Sequence, residues 1–215
     1  LEAQGIGAEP VPEVPGVLIL QGFDRPEEIR AFREGLLQVQ DVSSVLAGLA
    51  AGVKPGDFVV DVCAAPGGKS LHAAELAGEG GHVEARDLTE AKTALIEDNV
   101  RRSRFGNISV RVWDARVPDS EMFGRADVVL ADLPCSGLGI LSRKSDIKYR
   151  LTPDKLQKLA ALQRQILSVV WRYVKPGGYL IYSTCTIHSE ENEENVRWFQ
   201  ENYPFQAVDL NEWLP

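Results

Sequence analysis

The feature that most constrains this chain is a regular exchange of short β-rich apolar runs with helical stretches from Phe58 onward. That alternation is the signature of an α/β fold built on a parallel sheet. Phe58-Val59-Val60-Asp61-Val62-Cys63 reads as the first strand, introduced by the turn Lys54-Pro55-Gly56-Asp57. The spacing then predicts a helix to about Ala77, a strand over Gly81 to Asp87, and a helix capped by Thr89. Strands follow over Ile108 to Asp114 and Ala126 to Asp132, the second nearly all apolar, as suits a strand covered on both faces. After a long connection, Pro153 starts a helix to about Val174, stopped by Lys175-Pro176-Gly177-Gly178. Tyr179 to Thr184 is the fifth strand, Ser189 caps the next helix, and Phe205 to Leu210 is a sixth strand. Ahead of the sheet, Leu36 to Val39 reads as a short strand and Ser43 to Ala51 as a helix. With no repeat or linker in view, residues 1–35 are read as a lead-in and 36–215 as one domain.

The turn after the first strand, Cys63-Ala64-Ala65-Pro66-Gly67-Gly68-Lys69-Ser70, is the richest local signal. Its Gly-Lys-Ser end resembles a phosphate loop, but that loop requires a glycine where Cys63 stands, and the G-x-G-x-x-G dinucleotide pattern is absent. What remains is a small-residue turn that lets a ligand approach the backbone, at the end of a strand where α/β sheets bind ligands. Asp87 lies where an acid can accept hydrogen bonds from ribose hydroxyls, and Asp114 and Asp132 close later strands. Three acidic strand ends repel phosphate and suit a nucleoside carrying positive charge, as S-adenosylmethionine does. The plainer alternative is that each Asp merely caps a turn.

Charge at first opposes a nucleic-acid partner, because the 215 residues carry a formal net charge of −8. The distribution reverses that. Residues 139–175 hold nine bases and two acids, and residues 101–116 hold five arginines and one acid. Arg143, Lys144, Lys148 and Arg150 are the candidates for a polyanion backbone, while the cations from Lys155 to Arg172 also fit a solvated helix face. Cys63, Cys135 and Cys185 include no C-x-x-C pair and make no metal-ligand spacing with His72, His82 or His188. A reduced cytoplasmic protein, monomeric, without metal and without a membrane span, is expected.

Several motifs in one order resemble the RNA cytosine-C5 methyltransferases: Cys63 to Lys69, Asp132-Leu133-Pro134-Cys135-Ser136-Gly137, and Ser183-Thr184-Cys185-Thr186 with Glu190-Glu191-Asn192. Gln38 to Ser44 resembles the segment leading into that family's catalytic domain. Arg143 to Tyr149 resembles a loop of the bacterial branch acting on small-subunit ribosomal RNA. The resemblance implies a Rossmann-like class I S-adenosylmethionine-dependent methyltransferase sheet. It also implies a catalytic piece lacking that branch's N-terminal RNA-binding domain and the family's final strand. Thr186 stands where the family more often has Ser and keeps the hydroxyl.

By the same resemblance Cys185 is the nucleophile that adds to C6 of cytosine, activating C5 to take the methyl group. Cys135 assists loss of the C5 proton or product release, Asp132 faces N3, and Lys69 helps hold Asp132 or substrate. Cys63, Ala64, Ala65, Pro66, Gly67, Gly68 and Lys69 form the cofactor turn, with Asp87 on the ribose, Asp114 near the adenine and Asp132 near the methionine end. Ribosomal RNA is the expected substrate, with the target cytosine unpaired or flipped out. The alternatives are another RNA cytosine-C5 methyltransferase such as one acting on tRNA, a methyltransferase for protein or small molecules, and an inactive RNA-binding or assembly module.

Overall fold

Strand residues alternate between two helix layers, and that alternation builds the molecule. The computed structural model describes residues 1–12, 14, 16–143, 146–212 and 214. An antiparallel hairpin, β1 (Gly7–Pro10) and β2 (Leu18–Gln21), leads through the single turn α1 (Arg30–Arg33) to α2 (Val42–Ala50). Then come β3 (Phe58–Asp61), α3 (Gly68–Ala77), β4 (His82–Asp87), α4 (Glu90–Ser103), β5 (Ile108–Val112) and β6 (Ala126–Asp132). The short α5 (Ile147–Arg150), the long α6 (Pro153–Val170), β7 (Val174–Ser183) and α7 (Glu193–Asn202) complete the order.

The sheet runs β5-β4-β3-β6-β7 with every pairing parallel. From β3 the chain winds outward to β5, then returns to add β6 on the other side of β3. Strand order therefore reverses between β3 and β6, whose last residues are Asp61 and Asp132. Ligands of open α/β sheets bind beyond the carboxyl ends at such a point. On one face Val60, Val129 and Ala131 pack with Ile166, Leu167 and Val170 of α6. On the other, Val59, Val128 and Leu130 pack with Ala73, Ala74 and Ala77 of α3, whose small side chains bring that helix close to the sheet. Each large side chain so buried contributes about 1.5–3 kcal/mol. Arg86 is buried too, paired with Glu84 and Asp119 and stacked near Trp113 and Tyr173.

The structure revises four sequence expectations. Leu36 to Val39 is irregular, with Leu36 three-quarters exposed. Its neighbourhood is held from α4 instead: Arg102 donates to the carbonyls of Phe32 and Leu37 and lies 3.8 Å from the Phe32 ring centre. Phe205 to Leu210 forms no strand, because Phe205 turns inward against Trp171 and Phe199. The long helix ends at Val170, and residues 175–178 belong to β7 rather than to a helix stop. There the pairing with β6 is irregular, and a Cβ on Gly178 would lie 2.6 Å from the Asp127 carbonyl, so glycine permits the bulge. Ser189 opens a single turn of 3-10 helix, and Asn192 is the residue that caps α7. Thr89 does cap α4, accepting the Lys92 N–H.

Candidate active site

A cleft opens at the switch point, lined by Gln38, Gln40, Ser44, Asp61, Cys63, Lys69 and Asp132 among others. Its floor is the turn from Cys63 to Gly68. Gly67 takes φ +107°, a conformation glycine adopts without strain, and a Cβ there would press on Ile96 at 3.2 Å. The Gly67 N–H returns to the Ala64 carbonyl, and α3 begins at Gly68. Of the turn residues expected to meet a cofactor, Ala64, Ala65, Pro66 and Gly68 also line the cleft, and Gly67 shapes the turn from behind.

A polar chain crosses the cleft from Gln40 and α2 to the strand ends. Gln40 donates to Ser44 Oγ at 3.1 Å, and Lys69 Nζ lies 2.7 Å from the same hydroxyl. Lys69 Nζ then reaches Asp132 Oδ2 at 2.6 Å, and Ser183 Oγ donates to Asp132 Oδ1 at 2.8 Å. The expected partnership of Lys69 with Asp132 is thus present.

Beyond Asp132, the turn after β6 and the loop after β7 bring two sulfurs together. Cys135 Sγ and Cys185 Sγ are 3.2 Å apart, though 50 residues separate them in the chain. Cys185 is exposed and Cys135 half-buried. The hydrogen bond from Cys135 lowers the Cys185 thiol to about 7, with burial and Asp132 opposing and Lys69 assisting. That same bond, then burial, pushes Cys135 up strongly. Cys63 is pushed up by burial and by Asp61 and Asp87, so its thiol stays protonated.

The other two acids stand apart from the cleft lining. Asp87 is buried, accepts the N–H groups of Ala65 and Leu88, and pairs with Lys92 at 2.9 Å. Asp114 is engaged by Arg116 through its side chain and backbone, which lowers its carboxyl from the usual value. Arg143 is mostly exposed and ion-paired with Asp41. Lys144 lies outside the described residues, and so do the side chains of Lys148 and Arg150, whose backbones form part of α5.

Sequence reasoning missed Asp61. It is buried, Ser70 donates to its Oδ2 at 2.7 Å, and its Oδ1 has no hydrogen-bond partner among the described residues. Burial pushes its carboxyl up to about 7. A charged residue within Val59-Val60-Asp61-Val62 was the available signal. Gln163 was also missed, and Glu191 was named only as part of a motif, with no role; both are wholly buried behind the two cysteine turns. Among the described residues no group of His, Cys, Asp and Glu could hold a metal, and no helix is long and apolar enough to cross a membrane.

Residues 49–212 match the family model for 16S rRNA methyltransferase RsmB/F. A probable ribosomal RNA small subunit methyltransferase B from Bacillus subtilis (strain 168) is 40% identical over 184 residues, covering 84% of this chain and 40% of that protein. The crystal structure of PH0851 superposes with a TM-score of 0.90 at 37% identity, covering 95% of this chain and 46% of that one. NSun6 from Pyrococcus horikoshii, crystallised with SFG, gives 0.75 at 28% identity, covering 86% and 48%. The chain spans less than half the length of each.

Proposed function

This chain belongs to the 16S rRNA methyltransferase RsmB/F family, and from that premise we propose that it is the catalytic unit of an S-adenosylmethionine-dependent enzyme forming 5-methylcytosine in small-subunit ribosomal RNA. Residues 36–215 make up that unit and residues 1–35 its lead-in. The observation that carries the reading is the meeting of two sulfurs 3.2 Å apart, with Cys185 within electrostatic reach of the Lys69–Asp132 pair that lines the cleft. Methyl transfer to oxygen or nitrogen needs no thiol, whereas methylation of a ring carbon without nucleophilic character does.

The residues present fit the cofactor. The floor of the cleft is a turn of small residues that lets a ligand approach the backbone. Asp61 Oδ1, buried at that cleft and without a hydrogen-bond partner among the described residues, suits the ammonium of an amino-acid moiety. Ala64, Ala65, Pro66 and Gly68 would cradle the ligand, with Asp87 as the ribose acceptor. For Asp114 to meet an adenine, its carboxylate must share or leave Arg116. When bound, the cofactor supplies an electrophilic methyl on a sulfonium sulfur.

Cys185, with a thiol near 7, is the nucleophile. Its thiolate forms a bond to C6 while the C5–C6 π electrons move toward C5 and the ring. Asp132, held by Lys69 and Ser183, faces N3 and, with Lys69, supplies a proton as charge builds there. C5 then takes the methyl. Once Cys185 is bonded to C6, its sulfur carries no charge, and the bond that kept Cys135 protonated is gone. Cys135 then gives its own hydrogen to solvent, and the resulting thiolate takes the C5 proton as the C5–C6 double bond re-forms, the Cys185–C6 bond breaks, the Cys185 thiolate returns, and N3 gives its proton back to the Asp132–Lys69 pair. RNA enters with the cytosine unstacked, its backbone along the basic segment from Arg143 to Arg150.

Mass spectrometry of the chain incubated with S-adenosylmethionine and RNA bearing 5-fluorocytidine tests the reading. A covalent adduct that disappears in Cys185→Ala is expected, and methyl transfer fully retained in Cys185→Ala would refute it.

A further inference from the structure

Behind the cysteine turns lies a buried polar knot that the reaction scheme does not use. Glu191 is fully buried, and its Oε2 accepts the Ser136 N–H and the Gln163 amide, each at 2.9 Å. The Gln163 amide also donates to the Pro134 carbonyl at 2.9 Å, so the residues on both sides of Cys135 are gripped. Gln163 Oε1 in turn accepts from Asn195 at 2.8 Å and lies 3.0 Å from the Tyr182 hydroxyl. In front, the Ser136 and Thr186 hydroxyls share a hydrogen bond of 2.7 Å that joins the two cysteine turns directly.

Burying a carboxylate is costly, and an apolar side chain of similar volume would fill the same space at less cost. Glu191 Oε2 is therefore there for what it holds, the backbone that carries Cys135. Glu191 Oε1 has no hydrogen-bond partner among the described residues. We propose that Glu191, acting through Ser136 and Gln163, is a positioning residue that keeps Cys135 in register with Cys185 for resolution of the covalent intermediate. The catalytic part of this inference rests on the covalent reading above, while its geometric part does not.

Two variants of the chain separate position from bulk. Glu191→Met fills the volume without an acceptor. Glu191→Gln keeps one oxygen for both donors and turns its amide toward His188 Nδ1, now 3.9 Å from Glu191 Oε1. With RNA and S-adenosylmethionine, the Met variant should lose about tenfold or more in kcat with the cofactor KM changed less than about twofold. An RNA adduct stable to denaturation should accumulate in it as in Cys135→Ala, and Gln should restore turnover. The second readout is the rate at which diamide, a diazene oxidant, takes one hydrogen from each of Cys135 and Cys185 to leave a disulfide and the hydrazine. That rate should fall about tenfold in the Met variant and stay near wild type in Gln, as loss of effective molarity requires. An unchanged disulfide rate in the Met variant, or lost cofactor binding without adduct, would overturn the inference. If the Met variant does not fold, Glu191→Asp, one methylene shorter, retracts the acceptor and carries the same disulfide-rate test. No adduct in Cys135→Ala would defeat the covalent reading and leave the disulfide rate to decide on Glu191.

Discussion

Cys135 Sγ lies 3.2 Å from Cys185 Sγ and 3.3 Å from the Cys185 backbone nitrogen, so one thiol is gripped by both the sulfur and the main chain of the other residue. One proton between two sulfurs divides their chemistry: the exposed Cys185 ionises first, and Cys135 keeps its hydrogen.

That division predicts how Cys185 alkylates. The thiolate is the reactive form, so the rate rises with pH through the thiol's titration. In the wild-type chain the midpoint for Cys185 should fall at about 7. Cys135→Ala removes the donor that lowers it, and the midpoint should climb toward the ordinary value of about 8.5. Iodoacetamide rates mapped to Cys185 by mass spectrometry measure this, and an unmoved midpoint would show that Cys135 is not the cause.

Residues within short motifs were legible in the sequence; those defined by long-range approach were not. Lys69, Asp132, Cys135 and Cys185 each sit in a compact motif at a strand end, and all four meet in the fold. Glu191 stood out only as a member of the Glu190-Glu191-Asn192 motif, with no sign that it holds the Cys135 turn, because its partner Ser136 is 55 residues away. Ser44 and Gln40 likewise reveal their place only once α2 lies against α3. The β1–β2 hairpin was missed because Gly7-Ala8-Glu9-Pro10 shows no apolar alternation. Phe205 misled for the opposite reason, since its apolar character serves a helix-side aromatic cluster rather than a ladder.

Asp61 predicts a pH-dependent stability. Its carboxyl is raised to about 7 in the folded chain by burial, above the unfolded value of about 3.9. Between those values the folded state binds more protons than the unfolded, so this group makes stability fall as pH rises, with the full loss reached above about 7. Asp61→Asn keeps an acceptor for Ser70 and removes the titration. It should stabilise the chain at pH 8 by on the order of 2–4 kcal/mol and change little at pH 4. Urea unfolding at the two pH values checks this; an equal gain at both would point to packing rather than charge.

Arg86 predicts the cost of an unbalanced interior. It faces Glu84 and Asp119 at full burial, and Arg86→Leu leaves both carboxylates without that cation. The expected loss is about 3–5 kcal/mol. Replacing Asp119 by Asn in the same chain should recover part of it, as coupled neighbours do. Additive losses in the double variant, read by chemical denaturation, would contradict the pairing.

Gly139 predicts how finely the proposed nucleophile, Cys185, is placed. Its N–H donates to the Cys185 carbonyl at 3.0 Å, and a Cβ built on it would lie 2.9 Å from that same oxygen and 3.3 Å from its carbon. Both neighbours are backbone, so an alanine must push the Cys185 loop away from the strand end. The contact is local, and the sheet core lies elsewhere. Gly139→Ala should therefore lower kcat by about 10- to 100-fold, the cost of displacing a reacting group by about 1 Å, while the unfolding temperature moves by only about a few degrees. Gly106→Ala is the control, because a Cβ there meets nothing within 4 Å. Methyl-transfer rates of the two variants decide the matter: if both match wild type, Cys185 tolerates a displacement that the proposed attack on C6 does not allow.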